Sequence, residues 1–202
     1  MKRFKTTKGL IGIVLLMMIA LVAIVGPMVI PPDAATAMDM AARRAPPSLT
    51  HPFGTDQLGR DMMFRVILGA RTSLEIAVSA VVMSIVLGLP LGLISGYFGG
   101  FIDNVLMRLV DTLLAFPALL LALTISAVLG PNIQNTIIAI GVAFTPYLAR
   151  IIRGEALRVA QMPYVEAARS SGTTDIMIMI RHVLPNILPA RPFARPSGAS
   201  SP

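Results

Sequence analysis

Acid–base or metal chemistry needs titratable side chains that can meet, and this chain of 202 residues offers few. Its two histidines, His51 and His182, stand far apart, and Glu155 and Glu166 have no evident partner for proton transfer. There is no cysteine, which excludes disulfides and thiolate metal sites. A phosphate-cradling Gly-Lys-Ser/Thr loop needs a lysine, and none follows Lys8. No catalytic, cofactor-binding or metal-ligating set is expected, so any energetic work must be driven by a partner. What the residues do allow is docking. In PYVEAARSSGTTDIMIMIRHVLPN (163–186), Ile176, Met179, Ile180, Val183 and Leu184 fall at i, i+3, i+4, i+7 and i+8. That spacing makes an apolar stripe on one side of a helix. Yet Glu166, Arg169, Asp175 and Arg181 keep the segment out of a bilayer.

The elements that position it are membrane spans. The chain is 55% hydrophobic and 13% charged, against about 25% charged in soluble domains. No charge occurs over Gly9–Pro32, Ile76–Ile102 or Thr112–Ala149. With about 20 helical residues needed per crossing, four spans are expected, at about 10–30, 74–96, 104–129 and 133–149. GPNIQN (130–135) makes the tight turn between the last two. The first span resembles a signal peptide, but Leu10–Ile30 exceeds the usual apolar core of about 7–15 residues, so an uncleaved anchor is expected. The formal charge of +7 does not point to nucleic acid, because aromatics are only 5% and the basic residues flank the spans. Lys2, Arg3, Lys5 and Lys8 place the N-terminus in the cytoplasm. Residues 31–72 then lie outside, and everything after Ala149 lies inside.

Within the outer loop, residues 31–50 are expected to be extended. Asp61 caps a short surface helix near 61–69 that Gly69 can end, and Thr72-x-x-Glu75 reads as a capping box opening the second span. Gly88, Gly92, Gly96 and Gly100 form a smooth seam where another helix can approach. Pro90, Pro117 and Pro146 invite kinks. Arg108 and Asp111, near the inner end of the third span, are given a structural role. A first cytoplasmic helix, an extension of the fourth span, is expected to run from about Tyr147 through Arg158 to Ser171 and to break at Gly172. A second helix follows, capped by Thr173 or Thr174, with Asp175 in its first turn and Pro185 at its end.

Glu166-Ala167-Ala168, Gly172 and Leu184-Pro185 together resemble the EAA loop of ATP-binding cassette importer permeases. HPFGTDQLGRDMMFRVILGARTSL (51–74) and DNVLMRLVDTLLAFPALLLAL (103–123) resemble the dipeptide, oligopeptide and nickel permease subfamily. The resemblance runs from residue 1 to about Pro189. It implies an all-α membrane protein of the type I importer fold in a bacterial or archaeal inner membrane. It also implies partners: a homologous permease, two ATPase subunits and an external binding protein, with lipid around the spans. The substrate class implied is short peptides, with nickel or glutathione as alternatives. Carried over, Glu166, Ala167, Ala168 and Gly172 would contact the ATPase, and a coupling helix would include Thr173, Thr174, Asp175, Ile176, Met179 and Ile180. Ser170-Ser171 stands where relatives carry a larger apolar residue. The family has six spans, so the tail ARPFARPSGASSP (190–202) reads as a truncation, and a non-transporting scaffold that still binds the ATPase is the alternative function. The expected organisation is an anchor and extended loop at 1–50 and a surface-helix segment at 51–72. An incomplete permease domain at 73–189 contains the loop at 150–189, and a disordered tail occupies 190–202.

Overall fold

The computed structural model describes residues 7–187, which are all-helical apart from loops and one isolated bridge between Thr55 and Asp61. Among the described residues, three helices are long and apolar enough to cross a bilayer, or four if a sharply bent pair counts as one. The chain is an all-α, multi-pass membrane protein. It divides into two compact units, Met1–Val78 and Ser79–Pro202. Lys2, Arg3 and Lys5 of the N-terminal basic cluster and the 190–202 tail lie outside the described residues.

In the first unit, α1 (Thr7–Val29) exposes Leu16, Met17, Ile24 and Met28, as a lipid-facing helix must. Its buried side is small: Ala23, and Gly26, where a Cβ would collide with Ile67. The loop that follows is not extended. It folds into 3-10 turns at Pro32–Ala35, where Pro32 presets the first position, and at Met40–Ala42, where a short acidic side chain closes the turn on nearby backbone. Asp39 accepts from the Ala41 N–H at 2.9 Å. Asp56 collects the N–H groups of Leu58 (2.8 Å) and Arg60 (3.0 Å), and the guanidinium groups of Arg60 and Arg65. Asp61 accepts from the Met63 and Phe64 N–H groups at 2.8 and 3.2 Å, capping α2 (Met62–Phe98) as expected. Its other oxygen lies 2.8 Å from His51 Nδ1.

Gly69 does not end that helix. The surface helix and the second span are one element of 37 residues. The Thr72 hydroxyl turns back toward the Leu68 carbonyl instead of capping, as Ser and Thr do inside helices. With no cap to start a new helix, one glycine costing about 1 kcal/mol is insufficient to break the old one.

In the second unit, α2 meets α5 (Ile133–Ala160) along glycine. A Cβ at Gly88 would lie 3.0 Å from the Thr145 carbonyl oxygen. One at Gly92 would lie 2.8 Å from Ile152 Cβ, and one at Gly96 would lie 2.6 Å from the Arg153 carbonyl oxygen. Gly100 is not part of this seam. It starts α3 (Gly100–Leu114) at φ +52° with open space around it. The Ser84 hydroxyl reinforces the approach by donating to the Gly141 carbonyl at 2.9 Å.

The expected third span is not one helix. α3 and α4 (Ala118–Leu129) meet at 85° across Ala115–Pro117. Pro117 has no N–H to continue α3 and disfavours the helical conformation at Phe116, so the chain restarts at Ala118. Gly130 (φ +88°) and Asn132 make the turn into α5, with the Asn132 side chain accepting from the Gln134 N–H at 3.0 Å. α5 stops at Ala160 and does not run on to Ser171. Met162 is extended (φ −77°, ψ 143°) ahead of Pro163, which opens α6 (Pro163–Ser170). Nor does Pro185 end the last helix. α7 (Asp175–Ile178) passes through a π turn, Met179–Val183, into α8 (Leu184–Ile187). The Leu184 N–H reaches back to the Met179 carbonyl, and this widened turn accommodates a ring that would clash in a regular helix.

Two predictions follow from this packing. Gly92→Leu should cost about 3 kcal/mol or more, because the added side chain meets backbone as well as side chains. Gly154→Ala, in open space on α5, should be neutral or stabilising. Thermal melts in detergent compare the two, and equal melts would remove the seam as an interface. In the loop, burial opposes ionisation of Asp56, but its Arg60 and backbone hydrogen bonds hold the carboxyl at about 2 against an ordinary 3.8. Burial likewise opposes ionisation of Asp61, and its bonds from His51, Phe64 and Met63 outweigh that and lower it. Folded-state values below the unfolded ones mean stability that is full above about pH 4 and lost as pH falls through about 2. Hydrogen exchange of peptides over 54–65, corrected for intrinsic rate, should show protection declining across that window. Protection that ignores pH there contradicts the assignment.

Candidate partner-docking site

The hairpin after α5 is shaped by its turn. α6 closes with the Gly172 N–H donating to the Arg169 carbonyl at 3.0 Å and the Thr173 N–H to the Ala168 carbonyl at 3.2 Å. This Schellman arrangement requires a left-handed residue at its centre, and Gly172 has φ +78°. The Ser171 hydroxyl adds a 2.8 Å bond to the Ala167 carbonyl, so serine at this position ties the turn back to α6. Thr174 occupies the cap position of α7, but its side chain makes no capping bond. Asp175, in the first turn, instead accepts from the Tyr97 hydroxyl at 2.6 Å.

The apolar stripe divides. Met179 and Val183 are buried together with Ile178, whose exposure is 0%, against Leu93, Tyr97, Ala156, Val159 and Val165. Leu184 is half-buried beside them. Ile176 and Ile180 face away, 66% and 55% exposed, and Met177 joins them at 43%. The reason is that Ile176–Ile180 is five apolar residues in succession, so the helix is apolar on both sides. Its own bundle covers one side only. Glu166 and Ala167 are exposed on α6, and Ala168 is half-buried. Glu166, Ala167, Gly172, Thr174, Ile176 and Ile180 are therefore accessible together on the hairpin, whereas Met179 belongs to the core.

Several residues that matter here carried no clear signal in the sequence. Tyr97, buried at the end of α2, touches both arms of the hairpin: its hydroxyl meets Asp175 on α7, and Arg169 of α6 lies over its ring at 5.4 Å. Asp103, at the start of α3, accepts from the Ser95 hydroxyl and pairs with Arg153 of α5. Its place at the edge of a charge-free block is the one hint it gave. Asp111 pairs with Arg150 of α5 and not with its helical neighbour Arg108. Glu155 is held by Arg158 at 2.7 Å. Among the described residues no group of three or more His, Cys, Asp or Glu could hold a metal ion.

Residues 88–191 match the family of binding-protein-dependent transport system inner membrane components. A peptide transport system permease protein of Brucella suis biovar 1 is 44% identical over 178 residues, covering 88% of this chain and 60% of that protein. A glutathione transport system permease protein of Shigella flexneri serotype 5b is 46% identical over 168 residues, covering 83% of this chain and 55% of that protein. The chain thus spans a little over half the length of the relatives it matches.

The division of the stripe predicts opposite outcomes for two charge insertions. Met179→Asp buries an uncompensated carboxylate and should destabilise the protein by about 3 kcal/mol or more. Ile176→Asp places one in solvent and should stay within about 0.5 kcal/mol of the parent. Melts of the purified variants in detergent check this, and a large loss at Ile176 would mean the outer face is already covered.

Proposed function

The chain belongs to the family of binding-protein-dependent transport system inner membrane components, with its type I importer fold, and from that membership we infer that it is a permease subunit driven by a partner ATPase. The observation that carries this reading is the two-sided hairpin. One side is fixed in the bundle by Ile178, Met179 and Val183, and the other presents Ile176, Met177 and Ile180 uncovered. A short helix with a free apolar side suits a groove on another protein. Glu166, Ala167, Ala168, Gly172, Thr173 and Thr174 form the approach to that helix. Met179, first counted with the contact residues, serves as its anchor. Closure of two ATPase subunits would push on the hairpin and rock the spans between inward- and outward-open states.

Charge supports a cytoplasmic hairpin and N-terminus. Lys2, Arg3, Lys5 and Lys8 precede the first span and Arg150, Arg153, Arg158, Arg169 and Arg181 follow Ala149, against Arg43, Arg44, Arg60, Arg65 and Arg71 over 31–72, where Asp33, Asp39, Asp56 and Asp61 offset them. The permease domain is assigned to 73–189. Relatives named for peptide and glutathione transport favour a short peptide or peptide-like cargo, delivered by an external binding protein and shared with a homologous permease.

The test is retention of the ATPase subunit on the tagged chain in detergent. Ile176→Asp should weaken retention tenfold or more, since a charge pressed into an apolar groove costs about 2 kcal/mol or more. Gly172→Leu should do the same by straining the turn. Insertion in the membrane and, for Ile176→Asp, the melt should be unchanged. Full retention by both variants would falsify the docking role.

A further inference from the structure

The proposed docking hairpin is covalently continuous with α5, but motion of the bundle requires that α2 follow it as well. Leu93, a turn before Tyr97, contributes apolar packing to the hairpin, which holds two surfaces together without specifying direction. Tyr97 makes the directional contacts. It is 6% exposed in the last turn of α2. Its hydroxyl donates to Asp175 Oδ1 at 2.6 Å, in the first turn of α7. The Arg169 guanidinium of α6 stands over its ring at 5.4 Å, within reach of a cation–π attraction. One side chain therefore engages both arms of the hairpin, on either side of the Gly172 turn. Two residues earlier, Ser95 holds Asp103, which is paired to Arg153 of α5. The end of α2 is thus tied both to the hairpin and to the helix that carries it.

We propose that Tyr97 is a positioning residue, a strut that makes the α6–α7 hairpin and the end of α2 move as one body, so that displacement at the docking surface reaches the spans. The coupling role rests on the functional reading above; the strut itself does not. A hydroxyl–carboxylate bond fixes the angle of α7 against α2 in a way that apolar contact alone does not. Arg169 over the ring face opposes sliding of α6 across the same contact. Removing either arm's contact leaves the apolar core intact and loosens only the angle of that arm against α2.

Because the chain has no native cysteine, two introduced cysteines can carry spin labels without background. Arg181→Cys, in the π turn that continues α7, and Val86→Cys on α2 are both exposed positions. In the full chain in lipid nanodiscs, Tyr97→Phe keeps the ring over which Arg169 lies but loses the bond to Asp175. The label-to-label distance distribution should broaden by about 2 Å or more. Asp175→Ala should broaden it equally, and the double variant should add nothing further, since both remove one bond. Asp175→Asn keeps an acceptor and should restore the parent width. An unchanged width in Tyr97→Phe, with a parent-like melt, overturns the strut. With the ATPase bound and trapped by ATP and vanadate, the parent distance should hold while that of Tyr97→Phe shifts. A parent distance that shifts as much as the variant's overturns the coupling role. Failure of the unmodified chain to retain the ATPase overturns the functional reading and the coupling role with it, and the first measurement still decides the strut.

Discussion

The close approach of α2 to α5 at Gly88, Gly92 and Gly96 is the constraint on which the rest depends. In a membrane, helices gain little from hydrophobic association, because lipid is as apolar as they are, so contact must come from tight packing. With no Cβ at these three positions the backbones meet directly, and the Ser84–Gly141 bond locks the depth. This brings the last turn of α2 beside the end of α5, where the hairpin begins. Leu93 and Tyr97 then become part of the surface on which Ile178 and Val183 pack. Separating α2 from α5 by one side-chain thickness would remove that surface. The hairpin geometry is therefore a consequence of glycine spacing some eighty residues earlier in the chain.

Much of this arrangement was legible because it is written in single residues. The charge-free blocks marked the spans, the four-residue glycine period marked the seam, and Gly172 marked the turn. Failures came where the same residue type has several structural outcomes. Pro90 and Pro146 remain inside helices, Pro117 and Pro163 break them, and Pro185 is absorbed by a π turn. Each removes the same N–H and imposes the same clash; the packing around it decides among kink, break and bulge. Gly69 and Gly100 were misread for the related reason that glycine permits a break or a close approach without requiring either. The stripe at 176–184 was misread for lack of contrast. Five consecutive apolar residues contain no polar position to say which side faces the bundle.

The same ambiguity gives the hairpin two unlike surfaces. A helix apolar on both sides has two surfaces to cover, and α7 covers one internally. If the inner side were polar, the hairpin would lose its hold on the bundle. If the outer side were polar, it would offer no apolar contact. Anchoring and open presentation fall to adjacent residues, Ile178 and Met179 inward with Ile176 and Ile180 outward, which is the arrangement the proposed docking role requires.

The charged pairs that gave no clear signal in the sequence act on how α3 meets α5. α3 touches α5 through Met107, Val110 and Ala149, a small apolar contact that would tolerate several registers. Two ion pairs select one: Asp103 with Arg153, and Asp111 with Arg150. The Asp103–Arg153 pair is the more buried and the firmer of the two, whereas both partners of Asp111–Arg150 are more than half exposed and contribute little stability. α4 also packs on α5, after the tight turn at Gly130. α3 and α4 meet each other at 85°, so the chain that makes both contacts with α5 has to bend between them. Pro117 provides the break, because it offers no N–H to continue α3 and disfavours the helical conformation at Phe116.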